Sequence, residues 1–260
     1  MKTLLGMQKV SMQFGGLAAV QDFSMTVRPR EVVGLIGPNG AGKTTVFNMI
    51  AGLLIPTGGR ILFRGQDITR LPAHRVNAAG IARTFQNIRL FSDMSVLENV
   101  MVSFHRSIRS SFWRAMLGSP VHRREERRIR EESMRFLEEL RLAHLSSEQA
   151  GGLPYGQQRK LEIARALATR PQLLLLDEPA AGMNPMETME LAGLIRLIRD
   201  KYEVAIFLIE HDMKFVMNLC ERIKVLDHGL SIAEGAADEI RKNPAVIKAY
   251  LGIPGYDAAG

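Results

Sequence analysis

The sequence predicts an α/β fold in which helices cover both faces of a parallel β-sheet. Residues 32–36, 172–176 and 204–209 are short runs that are apolar throughout except at Gln172, which is typical of strands buried on both faces. Segments with helical spacing separate the later runs, and this alternation favours a parallel sheet. A long helical stretch interrupts the pattern, so we expect a single domain over residues 1–260 with an inserted helical subdomain at residues 87–165.

The N-terminal residues predict a small antiparallel β subdomain. Apolar and polar residues alternate along residues 10–14 and 23–27, as in strands with one covered face, and a Gly-Gly pair separates the two. The turn signal Pro-Thr-Gly-Gly at residues 56–59 precedes another short apolar run at residues 61–63. We therefore expect the first part of the chain to be rich in strands around a single α/β unit.

Residues 87–145 predict helices rather than strands. One face carries apolar or small residues at helical spacing, with arginines and glutamates opposite. The residues of this face are Ile129, Ser133, Phe136, Leu137 and Leu140. Residues 103–118 are also amphipathic, and three interpretations stay open for them: contact with lipid, docking on a partner helix, or ordinary packing within the subdomain.

The α/β pattern returns after residue 152. Residues 157–169 and 186–200 have helical spacing, and they precede the apolar runs at residues 172–176 and 204–209. The same sheet-forming pattern thus lies on both sides of the helical stretch. We conclude that this stretch is an insertion into one unit.

Composition restricts the class of protein. The 260 residues are 46% hydrophobic and 23% charged, which is typical of a globular chain that buries a sizeable core. No apolar stretch reaches the roughly 20 residues that cross a bilayer, and no secretory signal follows Met1, so we expect a protein that stays in the cytosol. The single cysteine, Cys220, is interpreted as a reduced packing residue.

The net charge of +7 is compatible with an acidic partner, either nucleic acid or an anionic lipid surface. Many arginines lie between residues 106 and 135, but glutamates interrupt them at residues 125–126 and 131–132. Such mixed charge favours a solvated helix face with i,i+4 ion pairs over a nucleic-acid patch. We therefore expect no nucleic-acid partner.

A glycine-rich loop after the first buried run predicts a site for a nucleoside triphosphate. Residues 37–44 read Gly-Pro-Asn-Gly-Ala-Gly-Lys-Thr and match G-x-x-x-x-G-K-[ST], so backbone N–H groups at a helix start converge on bound phosphates. Lys43 would neutralise the outer phosphates, and the Thr44 hydroxyl would ligate Mg²⁺. The residues expected to contact the nucleotide are Gly37, Pro38, Asn39, Gly40, Ala41, Gly42, Lys43, Thr44 and Thr45.

Two consecutive carboxylates follow the apolar run at residues 172–176 and predict the second half of the same site. Asp177 and Glu178 stand at the carboxyl end of a strand, where ligands bind in parallel sheets. We expect Asp177 to hold the Mg²⁺ shell and Glu178 to act as the general base toward the attacking water.

With these two motifs in order along it, nearly the whole chain resembles the nucleotide-binding subunits of ATP-binding cassette (ABC) transporters, which have a RecA-like P-loop NTPase fold. The resemblance implies ATP and Mg²⁺ as ligands. It assigns Gln86 to the glutamine loop, which joins Mg²⁺ and water to the membrane partner, and His211 to the switch histidine, which contacts the γ-phosphate. Phe14 matches an aromatic residue that stacks on adenine, and it also completes an alternating strand.

Residues 153–158, Leu-Pro-Tyr-Gly-Gln-Gln, take the position of the family signature LSGGQ. The resemblance implies that Gly156 and Gln157, at a helix N-terminus, cap the γ-phosphate of an ATP held by a second cassette. The chain departs from the pattern at Pro154, which replaces serine and lacks a backbone N–H, and at Tyr155, which replaces glycine. Asn184 likewise replaces the aspartate of the family's SALD run.

Further motifs are similar to those of the larger ATPase subunit of branched-chain amino acid importers. They lie at residues 83–91, 94–100, 155–159, 177–182, 209–213 and 243–252. The resemblance implies a second ATPase subunit, identical or different, two membrane permease subunits and, indirectly, a periplasmic binding protein. It also implies a peripheral position at the cytoplasmic face of the plasma membrane. Two alternatives stay open: a cassette for lipid or lipopolysaccharide export, and a soluble cassette ATPase acting on nucleic acid.

Overall fold

The structure is a computed structural model that describes residues 3–104 and 120–251. Within these ranges the chain forms two β-sheets and the helices that connect their strands. The strands are β1 (Leu5–Phe14), β2 (Leu17–Val27), β3 (Val32–Ile36), β4 (Gly58–Phe63), β5 (Gln66–Asp67), β6 (Ile81–Arg83), β7 (Leu173–Asp177), β8 (Ala205–Ile209), β9 (Arg222–Asp227) and β10 (Leu230–Gly235). The α-helices are α1 (Lys43–Ile50), α2 (Ala73–Ala79), α3 (Val96–Val102), α4 (Pro120–Glu139), α5 (Tyr155–Ala168), α6 (Pro185–Tyr202), α7 (Met213–Leu219), α8 (Ala237–Lys242) and α9 (Pro244–Leu251). Two 3₁₀ turns lie at Ala143–Leu145 and Ala150–Gly152.

The N-terminal sheet has the strand order β2-β1-β4-β5, and its neighbouring strands are antiparallel. β1 and β2 form a hairpin that turns at Gly15 and Gly16, with Phe14 paired to Leu17. Gly15 has a φ of 56°, a conformation that glycine adopts at little cost in a two-residue hairpin turn. The predicted antiparallel β subdomain is confirmed.

The larger sheet has the order β10-β9-β3-β8-β7-β6, and all its pairs are parallel except β10 with β9. Every residue of β3, β7 and β8 is buried, because helices cover both faces of these central strands. The predicted parallel sheet is confirmed. The thiol of Cys220 packs against Gly34 of β3, and burial raises its pKa, which agrees with a packing role.

Sequence reasoning did not predict β9 and β10, because charged residues interrupt their apolar pattern. In β9, Lys224 is buried and Arg222 is partly buried, and partners from other segments neutralise both. Arg222 Nε lies 2.9 Å from Glu31 Oε1, and Lys224 Nζ lies 2.7 Å from Glu234 Oε2. Such pairing makes buried charge tolerable, and it is invisible to an analysis of local periodicity.

The helical insertion is confirmed as α3, α4, α5 and the two 3₁₀ turns, whereas its bounds at residues 87–165 stay a prediction. α3 begins with a capping box in which Ser95 and Glu98 satisfy each other's backbone N–H groups. The residues of the predicted face, which lie in the second half of α4 and directly after it, are all buried. Of the amphipathic stretch at residues 103–118, only Ser103 and Phe104 are described, so its three interpretations concern residues outside the described part. Among the helices of residues 3–104 and 120–251, none combines the length and hydropathy needed to cross a bilayer.

The parallel register brings four loops to one edge of the sheet. β6, β7, β8 and β3 are consecutive neighbours running in the same direction, so their carboxyl ends lie side by side. The loops that leave these ends begin at residues 84, 178, 210 and 37. The catalytic, metal and phosphate-loop residues predicted from the sequence lie on these loops, at the strand ends beside them or in the first turn of α1. This is the position where ligands bind in open α/β sheets.

Candidate active site

Glycines shape the loop between β3 and α1 by allowing close approach to the rest of the protein. Gly37 has a φ of 153°, and a Cβ there would lie 1.9 Å from the Leu226 carbonyl oxygen. Gly42 has a φ of 102°, and its Cβ would lie 2.4 Å from the Ala19 carbonyl oxygen. Gly40, at a φ of 80°, would meet no described atom within 4 Å. The loop is therefore packed on one side and open at Gly40, where a ligand can approach the backbone.

Lys43 lies across this loop and is only 7% exposed. Its Nζ donates hydrogen bonds of 2.8 Å to the carbonyl oxygens of Gly37 and Pro38. Burial lowers the pKa of Lys43, while the charges of Glu178 and Asp177 act in the opposite direction. A poorly solvated ammonium is suited to bind an anion that completes its hydrogen bonding.

An open pocket of about 310 Å³ lies beside the start of α1. Its walls come from the phosphate loop, the end of the β1–β2 hairpin and the turn after β9. The lining residues are Leu17, Ala18, Ala19, Gly40, Ala41, Gly42, Lys43, Thr44, Thr45 and His228. Phe14 is not among them, but it is 44% exposed one turn away at the end of β1. Sequence reasoning missed His228. The residue follows the end of a strand and precedes Gly229, and this glycine is the turn signal that could have indicated the loop.

Asp177, at the end of β7, is held by two polar contacts. Arg83 Nη2 lies 2.7 Å from Asp177 Oδ2, and the backbone N–H of Asp177 donates to Thr84 Oγ1 at 3.3 Å. Arg83 also donates to Asn48 Oδ1 at 2.6 Å. Both charged side chains are at least nine-tenths buried. One carboxylate oxygen of Asp177 is thus occupied by an arginine that sequence reasoning missed, although a charged residue at the end of an apolar strand was a signal.

We expect Arg83→Met to lower the free energy of unfolding by about 3–5 kcal/mol, because it leaves Asp177 buried without its cation. Urea unfolding of the full chain measures the loss. Arg30→Met is the matched control, since the ion pair of Arg30 with Glu203 has side chains 54% and 72% exposed and should contribute less than about 1 kcal/mol. Equal losses in the two variants would contradict the assigned strength of the buried pair.

Glu178, Gln86 and His211 meet at the edge of the sheet. Gln86 Nε2 donates to Glu178 Oε2 at 3.0 Å, and His211 Nδ1 lies 3.8 Å from the same oxygen. Glu178 has a φ of 46°, an unusual conformation for a residue with a side chain. The three residues come from the loops after β6, β7 and β8, so the fold brings together the three catalytic residues that the sequence predicts.

A buried carboxylate, Glu210, joins two of these loops. Its oxygens accept hydrogen bonds from the backbone N–H groups of Ala180, at 2.7 Å, and His211, at 3.1 Å. Burial raises the pKa of Glu210, and these N–H donors oppose the shift. Glu210 therefore connects the segment after Glu178 to the segment that carries His211. Its position directly after an apolar strand was the only sequence signal, and it was missed.

Gly156 and Gln157 lie at the N-terminus of α5 and do not line the phosphate-loop pocket. The N-cap of α5 is Pro154, which makes no side-chain capping bond in the described structure; its carbonyl accepts from the N–H of Gln157 at 2.9 Å. Asn184 caps α6 instead of facing outward with free acceptors, since its Oδ1 accepts from the N–H groups of Met186 and Glu187.

Comparisons with known proteins agree with this geometry. A family model described as "ABC transporter" matches residues 20–181, and one described as "Branched-chain amino acid ATP-binding cassette transporter" matches residues 232–254. The high-affinity branched-chain amino acid transport ATP-binding protein BraF of Pseudomonas aeruginosa is 47% identical, covering 96% of this chain and 98% of that protein. The similarly named LivG of Escherichia coli K12 is 46% identical with the same coverage.

Solved structures give the same result. The crystal structure of an ATP-binding cassette of an ABC transporter, in its ADP conformation, superposes with a TM-score of 0.85 and 31% identity. The superposition covers 97% of this chain and 100% of that one. Since the first family model spans more than half of the sequence and these relatives match nearly all of it, the chain belongs to the ABC transporter family and is one of its ATPase cassettes.

Proposed function

We propose that the chain is the ATP-hydrolysing motor subunit of an ABC importer for branched-chain amino acids. The observation that carries the proposal is the convergence of Gln86 and Glu178, 3.0 Å apart, beside the phosphate-loop lysine Lys43. The names of the relatives supply the solute, and they favour the importer over the two alternatives, lipid export and action on nucleic acid.

The phosphate loop would hold ATP. The open side of the loop at Gly40 leaves room for phosphate oxygens, and Lys43 would exchange its two carbonyl acceptors for them. Residues 37–45 would contact the phosphates, and the exposed ring of Phe14 would stack on adenine. The pocket beside α1 supports this assignment because its walls come from the same loop.

The donor set around the loop fits Mg²⁺. Thr44, Asp177 and Gln86 offer a hydroxyl, a carboxylate and an amide carbonyl, and magnesium prefers such oxygen ligands together with substrate phosphates. Arg83 occupies Oδ2 of Asp177 and leaves the other oxygen of that carboxylate for the metal shell. Bound magnesium would neutralise charge on the outer phosphates.

Glu178 would act on the water that attacks the γ-phosphate. Its carboxylate accepts a hydrogen bond from Gln86 and can accept a proton from water placed next to it. His211 Nδ1 lies 3.8 Å from the same carboxylate oxygen, and His211 would donate a hydrogen bond to the γ-phosphate. Glu210 would keep His211 in place through its bond to the backbone of that residue.

The site would be completed by a second cassette, identical or different. Gly156 and Gln157 lie at a helix N-terminus and do not line the phosphate-loop pocket of their own chain, so they would serve the ATP of the partner. Two membrane permease subunits, fed by a periplasmic binding protein, would receive the movement through the region from Gln86 to Met101. The chain would then be peripheral, at the cytoplasmic face of the plasma membrane.

Uptake of radiolabelled leucine tests the proposed function in cells from which the chain has been deleted. Uptake should fall, and it should return with the wild-type chain but not with Lys43→Ala. Uptake of lysine serves as the control and should stay unchanged. Normal leucine uptake in the deletion strain would reject the solute assignment, and salt-sensitive binding of nucleic acid in place of membrane co-fractionation would favour the soluble alternative.

Pro154→Ser is expected to raise the ATPase turnover of the assembled complex. Serine restores both a backbone N–H and a hydroxyl that can cap the N-terminus of α5, where the present N-cap makes no side-chain bond. A new cap is worth about 1 kcal/mol of helix stability and adds a donor facing the partner's nucleotide. Phosphate release at saturating ATP measures the effect, and an unchanged turnover number would retire this prediction.

A further inference from the structure

A buried arginine of α5 donates hydrogen bonds to the backbone of the glutamine loop. Arg159 is fully buried, and its guanidinium donates to the carbonyl oxygens of Phe85, at 2.6 Å, and Gln86, at 2.8 Å. The guanidinium also donates to Glu162 Oε2 at 2.8 Å. An arginine with no exposed surface holds its geometry closely, because each lost bond would leave a charged donor unsatisfied.

Glu162, one turn further along the same helix, also holds the backbone of the glutamine loop. Its Oε1 accepts the backbone N–H of Phe85 at 3.0 Å, while its Oε2 accepts from Arg159. The backbone at Phe85 and Gln86 is therefore held by three hydrogen bonds from two side chains of α5. Displacement of α5 would displace the backbone that carries the Gln86 side chain.

Tyr155, the first residue of α5, contacts this arginine. Its hydroxyl accepts a hydrogen bond of 3.0 Å from Arg159 Nη2. Its ring lies against Gly182, where an added Cβ would come within 3.3 Å of Tyr155 Cε1. Gly182 lies in the segment after Glu178. Tyr155 therefore contacts both this segment and the arginine that bonds the Gln86 carbonyl. A glycine at residue 155 could make neither contact.

We propose that Tyr155 and Arg159 are positioning residues that transmit the position of the α5 N-terminus to Gln86, and through Gln86 to Glu178. The connection consists of consecutive bonds from Tyr155 to Arg159, from Arg159 to the Gln86 carbonyl, and from the Gln86 amide to Glu178. It rests on the proposed function, in which the α5 N-terminus meets the nucleotide of the partner cassette. Hydrolysis at the chain's own site would then depend on what its α5 N-terminus contacts across the dimer.

Tyr155→Phe tests the connection with the smallest change, because it keeps the ring against Gly182 and removes only the hydroxyl. In the complex isolated with the tagged full chain, we expect kcat for ATP hydrolysis to fall about fivefold, the worth of one typical hydrogen bond, with KM for ATP unchanged. Tyr202→Phe is the matched control, because its hydroxyl donates to Glu139, far from the site. An unchanged kcat in Tyr155→Phe, or an equal fall in Tyr202→Phe, would overturn the proposal.

A double-mutant cycle with Gln86→Ala asks whether Tyr155 acts through Gln86. If it does, Tyr155→Phe should have no further effect on kcat once the Gln86 side chain is absent. The same fivefold fall in both backgrounds would place the action of the hydroxyl elsewhere and would reject the connection.

Hydrogen exchange gives a readout that does not depend on activity. Arg159→Lys replaces a forked guanidinium, which bonds the two carbonyls, Glu162 and the Tyr155 hydroxyl, by an ammonium whose three donors lie on one nitrogen and cannot bond all four acceptors. We expect the peptide covering residues 84–91 to exchange about tenfold faster in this variant and several-fold faster in Tyr155→Phe, at unchanged thermal midpoint in the latter. Unchanged exchange in both variants would reject the connection and leave the proposed function untouched. A wild-type complex that hydrolyses no ATP would reject the proposed function.

Discussion

Glu178→Gln should abolish ATP hydrolysis and leave nucleotide binding intact. The amide has the size of the carboxylate and retains an oxygen that can accept the 3.0 Å bond from Gln86, but it cannot accept a proton from water. General-base catalysis contributes about 10²–10⁴-fold to a rate, so kcat should fall by at least that factor. Phosphate release measures hydrolysis, and calorimetric titration with Mg-ATP measures binding.

Glu221→Gln is the control for this substitution. Glu221 is a half-exposed carboxylate that pairs with Arg199 on another face of the molecule, so its neutralisation should change neither quantity. Persistent phosphate release from Glu178→Gln would show that another group takes the proton from water. Loss of binding in the same variant would show that Glu178 holds the nucleotide rather than the water.

Lys43→Ala should weaken binding of Mg-ATP by at least about a hundredfold. The expected loss corresponds to two charge-assisted hydrogen bonds to phosphate, each worth about 1.5–3 kcal/mol. Stability should not suffer in parallel. Burial lowers the pKa of Lys43 in the folded chain, so at pH values below that pKa the charged side chain costs folding free energy, and its removal takes this cost away.

Calorimetric titration and urea unfolding of the same preparation separate these two effects. Lys242→Ala, an exposed lysine of α8, is the control and should bind Mg-ATP like the wild type. A large fall in unfolding free energy in Lys43→Ala would mean that the two loop carbonyls are the main partners of the ammonium. No heat from the wild type, with identical behaviour of Lys43→Ala, would remove the nucleotide site altogether.

We expect the two substitutions to affect different steps, and together with Tyr155→Phe they would distinguish three roles within the site. Lys43 would determine whether ATP is held, Glu178 whether held ATP is cleaved, and Tyr155 whether cleavage responds to the α5 N-terminus. The three variants should therefore differ in kind: loss of binding, loss of turnover at full binding, and a partial loss of kcat that disappears without Gln86. This pattern is specific to a site in which the three residues have separate roles.

Local patterns in the sequence determined the fold class and the two halves of the site. The strands β3, β7 and β8 are recognisable because near-continuous apolar runs of this length are typical of parallel strands covered on both faces. Each of the three is buried at every residue. The phosphate loop is recognisable because its chemistry depends on consecutive residues. Parallel strands place their carboxyl ends at one edge of the sheet. Once β6, β7 and β8 are neighbours, Gln86, Glu178 and His211 therefore lie close together.

The sequence could not show the contacts that hold these residues in place, because their partners are far apart along the chain. Arg83 meets Asp177 across 94 residues, and Arg159 meets Gln86 across 73. The position of Arg83 at the end of an apolar strand is a signal, but nothing in the spacing of either arginine indicates its partner. The same holds for β9, whose charges are buried only because Glu31 and Glu234 neutralise them.

The sequence alone therefore determined which chemical groups the protein has and which edge of the sheet carries them, since apolar periodicity and consecutive motifs are local properties. Only the tertiary structure decided how those groups are oriented and connected. Burial makes an unpaired charge costly, so Asp177, Glu210 and Arg159 each require partners, and three-dimensional packing alone brings those partners within hydrogen-bonding distance.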